Sequence, residues 1–91
     1  MINSMPLELE KAQLMSVLSR GKGNWGGKYD RIEHLKRFPN LNQIIKELSN
    51  KGWILVYNKP KYCAISLNTR YKREIIEFIE KEMPELRGII K

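Results

Sequence analysis

From residue 41 to residue 48, Leu41, Ile44, Ile45 and Leu48 fall at helical spacing, so one side of a helix is apolar and the other polar. Asn40 stands where a cap is needed, and Gln43, three residues on, would complete a capping box. Gly52 supplies the left-handed residue that ends the helix. The period then changes. WILVY (53–57) and YCAISLN (62–68) are β-branched and aromatic runs on either side of NKPK, which predicts a hairpin with a basic four-residue turn. In that pairing Ile54 and Val56 share the inward face with Cys63, Ile65 and Leu67. The other face holds Trp53, Leu55, Tyr57, Tyr62, Ala64 and Ser66 and is too apolar to stand bare. A cover is expected from the last helix, the first helix or another subunit.

Upstream, Pro6 suits the first turn of a helix with Ser4 as its cap. Leu7, Leu14 or Met15, and Leu18 mark its buried side, and it ends near Ser19–Gly21. GKGNWGGK, residues 21–28, has four glycines in eight positions and must be a loop, with Trp25 tucked onto the core. Tyr29, Ile32, Leu35 and Phe38 recur every third position, which predicts a second helix stopped by Pro39. Residues 29–51 then form a helix–tight turn–helix pair. Asn68 or Thr69 caps a final helix over about 69–83, with Ile75, Ile76, Ile79 and Met83 as its apolar side and Pro84 at its end. Leu86, Ile89 and Ile90 extend that stripe. With Ile75 and Ile79 it exceeds what a small core needs, which suggests a homodimer.

At 91 residues the chain is one domain, 1–91, and 42% hydrophobic with 30% charged residues is a globular rather than a disordered balance. The net charge of +7 points to a polyanionic partner. Its placement sharpens this: residues 19–37 carry six Lys or Arg against Asp30 and Glu33, and residues 38–67 carry four Lys against Glu47. The excess sits on the helix pair and hairpin. One cysteine excludes an internal disulfide, no apolar run approaches membrane-spanning length, and no signal peptide is legible at the first residues. A cytoplasmic protein without a membrane partner is expected.

Chemistry is sparse. GKGNWG literally matches G-x-G-x-x-G, but a helix precedes it where the dinucleotide fingerprint needs a strand. His34 has no second ligand at a metal-binding spacing, so no metal is expected. Cys63 faces inward beside no base and reads as a buried structural thiol. No nucleophile, base and orienting group assemble, so no catalytic residue, cofactor or enzyme activity is expected. The polar side of the 40–51 helix is more telling: Asn42, Gln43, Lys46 and Asn50 are residue types that read base edges. Arg20, Lys22 and Lys28 around the glycine loop are candidates for phosphate contact.

The register L-N-Q-I-I-K-E-L-S-N-K-G-W-I, residues 41–54, resembles the recognition helix and first strand of winged helix-turn-helix transcriptional regulators. The resemblance extends from about Pro6 to Met83. It implies a mostly α, α/β winged helix: three helices, a two-stranded β-hairpin wing at about 53–67 and a C-terminal helix. It also implies double-stranded DNA as partner, with Asn42, Gln43 and Lys46 in the major groove and Lys59 and Lys61 on the wing over the backbone. The turn at Phe38-Pro39 departs from the pattern, being short and lacking the common Gly. Z-DNA-binding domains also resemble residues 41–62, through Asn42, Pro60 and Tyr62, but carry a tyrosine where this chain has Lys46. The rival from another class is a winged helix used for protein–protein interaction in a nucleic-acid assembly, through the Trp53–Tyr57–Tyr62 face. RNA binding is disfavoured, since no four-stranded aromatic RNA-reading sheet is legible.

Overall fold

A computed structural model describes residues 7–20 and 25–90. Ser4, Pro6, Gly21 and Lys22 lie outside the described residues. In chain order come α1 (Leu7–Arg20), β1 (Asp30–Arg31), a 3₁₀ turn (Ile32–Leu35), α2 (Leu41–Asn50), β2 (Ile54–Asn58) and β3 (Cys63–Leu67). A second 3₁₀ turn (Thr69–Tyr71), α3 (Lys72–Glu82) and a third 3₁₀ turn (Pro84–Leu86) follow. The fold is mixed α/β and mostly helical. Its sheet is antiparallel and three-stranded in the order β1–β3–β2, so β3 is flanked on both sides.

Residues 29–38 correct the sequence expectation. They form no α-helix: Asp30 and Arg31 pair with Ile65 and Ala64 of β3, and only one 3₁₀ turn follows. The spacing of three that suggested a helix is the 3₁₀ period of three residues per turn, not the α period of 3.6. The free edge of β3 takes up the two residues before it. Among the described residues the sheet therefore has three strands where a two-stranded hairpin was expected, and three α-helices stand where four were expected.

The α2 stripe goes inward as its spacing demands. Leu41, Ile44, Ile45 and Leu48 are buried with Leu14, Met15 and Leu18 of α1, Ile54, Ile65 and Leu67 of the sheet, and Ile75 and Ile79 of α3. Ending α2 is a left-handed Gly52 at φ 81°. Its N–H donates to the Ser49 carbonyl (3.0 Å) and that of Trp53 donates to the Leu48 carbonyl (3.0 Å), the Schellman arrangement. The start of α2 differs from expectation. Asn40 makes no capping bond; its amide donates to Glu10 Oε2 on α1 at 2.9 Å, and Gln43 donates to Glu47 at 3.0 Å rather than back to residue 40.

β2 and β3 pair as the alternation requires, Ile54 with Leu67, Val56 with Ile65 and Tyr57 with Ala64. The hairpin outruns the core, however. Val56 is 38% exposed, and Cys63, expected buried, is half-buried with its thiol donating to Asn58 Oδ1 at 3.1 Å. The outer face is covered in two places. Near β1, the Gly26 N–H donates to Ser66 Oγ (2.9 Å) and the Ser66 hydroxyl donates to the Lys28 carbonyl (2.8 Å). Trp53 packs edge-on against Phe78 of α3 at 5.6 Å. The cover thus comes from residues 25–29 and α3.

Asn68 ties the junction into α3: its side-chain oxygen accepts from the Arg70 N–H (3.0 Å) and its amide donates to the Gly52 carbonyl (2.8 Å). Ile75 and Ile79 are fully buried within the chain, and Leu86 and Ile90 pack against the same core. Of the stripe expected to form a dimer surface, Ile75 and Ile79 are spent internally, Leu86 and Ile90 are half-buried, and Ile89 is 63% exposed. No described helix is long and apolar enough to cross a membrane.

Candidate nucleic-acid interface

The helix predicted as third is α2, and its outward side is the one the hydrophobic stripe leaves over. Asn42, Gln43, Lys46 and Asn50 are all exposed on it. Asn42 and Lys46 are one turn apart, so their side chains can enter one groove together. Glu47, the only carboxylate of α2, is drawn the other way. Lys11 of α1, only 4% exposed, bonds Glu47 at 2.6 Å and Glu8 at 3.0 Å. Both Glu47 oxygens are engaged in this brace, the second by the Gln43 amide, and among the described residues Lys46 is in no ion pair. The bond to Glu47 makes Gln43 less free to read a base than Asn42.

The brace is pH-sensitive. The hydrogen bond from Lys11, and then that from Gln43, hold the Glu47 carboxyl below the usual 4.5. For Lys11, burial works against the charge, but the bonds to Glu47 and Glu8 outweigh it and its pKa lies above the usual 10.5. A depressed carboxylate contributes stability that is full above its unfolded pKa and lost as pH falls through the folded one. Glu47→Gln should therefore be less stable than the parent near neutral pH, the gap closing as pH drops below 4.5. Thermal melts across that range check it; a gap that persists in acid would assign the loss to something other than the carboxylate's charge.

At the hairpin turn, the Lys59 N–H donates to the Tyr62 carbonyl at 2.8 Å, and Lys59, Pro60 and Lys61 are exposed. The Lys59 ammonium lies 4.8 Å from the centre of the Tyr57 ring, and the Tyr57 hydroxyl raises its pKa, so it stays charged. Of the weaker phosphate candidates, Lys28 is exposed beside the sheet and Lys22 lies outside the described residues. Arg20 is exposed at the end of α1 but borders a hollow with Leu86, Ile89 and Ile90, a setting apart from Asn42 and Lys46. Sequence reasoning missed Lys36. It shares a groove of about 440 Å³ with Ile32, Pro39, Asn42 and Gln43, and its place just before Phe38-Pro39 was the available signal.

The face named for a protein partner is divided: Trp53 is occupied by Phe78, while Tyr57 and Tyr62 sit at the far end of the hairpin. His34 is exposed, and among the described residues no group of three or more His, Cys, Asp or Glu could hold a metal. A cleft of about 650 Å³ lies between α1 and residues 37–40. On its wall Glu10 is buried, with Oε1 lacking a partner among the described residues. No family model, curated protein or solved structure matches the chain.

Proposed function

We propose that this chain is a winged-helix protein that binds double-stranded DNA in transcriptional control, with α2 in the major groove and the β2–β3 turn over the backbone. The observation that carries the reading is the outer side of α2. Its one carboxylate is held by Lys11, and Lys46, in no ion pair among the described residues, stands among the exposed amides of Asn42 and Asn50. A helix face of amides and one cation offers base-edge donors and acceptors, whereas an ordinary solvated helix would mix charges of both signs. The helix order and the β1–β3–β2 sheet are compatible with a winged helix, in which the β2–β3 hairpin is the wing. Lys36 adds a backbone contact beside Asn42.

The test separates reading from positioning. Base contacts carry sequence information and phosphate contacts do not. Asn42→Ala should cost about 1–3 kcal/mol on a selected site and little on random duplex. Lys59→Ala with Lys61→Ala should weaken both duplexes alike and lower the salt slope by up to about two units. Binding isotherms on both duplexes at two salt concentrations read the outcome. Equal affinities of Asn42→Ala and parent on the selected site would remove α2 as the reading element.

A further inference from the structure

A second arrangement, on the outer face of the sheet, is not used by α2. Arg31 stands opposite Ala64 and Ala64 opposite Tyr57, so the three form one row across all three strands. Tyr29, two residues before Arg31, falls on the same face, its ring 5.7 Å from that of Tyr57 and tilted by 48°. The Arg31 guanidinium lies 4.3 Å from the centre of the Tyr62 ring, and Lys59 lies 4.8 Å from that of Tyr57. Next to Tyr62, at the turn, is a hollow of about 240 Å³ walled by Lys59, Pro60, Lys61 and Tyr62. Ring planes and cations alternate over the whole patch.

The charge there has one sign. Residues 48–73 contain no Asp or Glu, and Asp30 pairs with Ile65, which puts its side chain on the other face. A polyanion with flat apolar rings matches such a surface. Duplex DNA does not fit it well, because its base faces are already stacked on one another and only phosphates would be presented. An unpaired strand offers both: phosphates for Lys59, Lys61 and Lys28, and bases for the exposed Tyr57 and Arg31. An acidic peptide would satisfy the cations and leave the rings unused.

We propose that the outer sheet face and the hairpin turn form a binding site for single-stranded DNA, with bases stacked on Tyr57 and on the Arg31–Tyr62 pair and phosphates held by Lys59 and Lys61. Cations and ring planes suffice for DNA; no part of the site depends on a ribose 2′-hydroxyl. The site is independent of α2 and stands whether or not α2 reads a duplex.

The test uses the full chain and a labelled oligothymidine of about ten nucleotides, within the site sizes such surfaces take. An abasic strand of equal length and charge is the comparison. The parent should bind the thymidine strand at least about ten-fold tighter than the abasic one, since stacking supplies the difference. Tyr57→Ala and Arg31→Lys should each lose about ten-fold on the thymidine strand with little change on the abasic strand, whereas Tyr57→Phe should bind as the parent does. Arg31→Lys keeps the charge at an exposed position and so remains informative if Tyr57→Ala unfolds. Asn42→Ala should leave this binding unchanged, which distinguishes failure here from failure of the duplex reading. Equal binding of the two strands, or parental affinity in Arg31→Lys, would overturn the proposal. So would displacement of the thymidine strand by polyglutamate of matched charge, or a preference of about ten-fold for the RNA of the same sequence.

Discussion

Affinity for random duplex DNA should fall by roughly two to three decades between about 50 and about 200 mM salt. The expectation rests on five cations, Lys28, Lys36, Lys46, Lys59 and Lys61, all exposed. Among the described residues, the ion pairs involve Lys11 and Arg73 and none of these five. Each phosphate neutralised releases condensed counterions, and about five of them give a slope of log affinity on log salt near roughly −4.5. A protein that met DNA through apolar or hydrogen-bonding contacts alone would show little slope. The measurement is a titration of labelled random duplex at several salt concentrations. A flat response, or no binding at micromolar protein in low salt, would remove duplex DNA as the partner.

Gly52→Val should destabilise the fold by about 2–4 kcal/mol, because two costs coincide at that residue. Gly52 sits at φ 81°, where a β-branched side chain is strongly disfavoured, and a Cβ there would lie 3.3 Å from Tyr71 Cε2. Its carbonyl also accepts the Asn68 amide, so a backbone adjustment that relieved the strain would disturb the entry to α3. Gly88 provides the control. It has nearly the same φ, 80°, but a Cβ added there would meet nothing within 4 Å. Gly88→Ala should therefore cost only the backbone term, about 1 kcal/mol, and Gly52→Ala more than that. In a domain of this size each kcal/mol moves the melting temperature by about 4–8 °C, so thermal melts resolve the series. Equal losses in the two alanine variants would show that Tyr71 yields freely.

The parts legible in the sequence were those with a local period. α2 declared itself because four apolar residues at helical spacing have one way to be buried together, and the hairpin register followed from strict alternation on either side of NKPK. What could not be read was decided by distant partners. Asp30 and Arg31 have no strand signature; they are a strand because β3 offers them an edge at Ala64 and Ile65. Asn40 had the right type and position for a cap, but Glu10, thirty residues earlier, takes its amide. Ile75 and Ile79 look surplus along the chain, yet α3 closes over the core and buries both. The same holds for the candidate site. The outward residues of α2 follow from its inward ones, but the capture of Glu47 by Lys11 and the meeting of Arg31 with Tyr62 are tertiary facts.

Because β3 is the central strand and the hairpin runs past the core, the two ends of the sheet differ in how readily they open. Ile65 and Leu67 are fully buried, and Ile65 is paired on both sides, so their amides should exchange with solvent only when the whole domain unfolds. Asn58 and Cys63, the last pair before the turn, lie beyond the reach of β1 and can fray on their own. The cationic turn is held to β1 by the side-chain contact of Arg31 with Tyr62 rather than by backbone pairs, and so is less tightly tied to the core than Ile65 and Leu67 are. It can adjust its shape to a nucleic-acid backbone at small free-energy cost, and binding should be recorded as slowed exchange at residues 57–63 with the core amides unchanged.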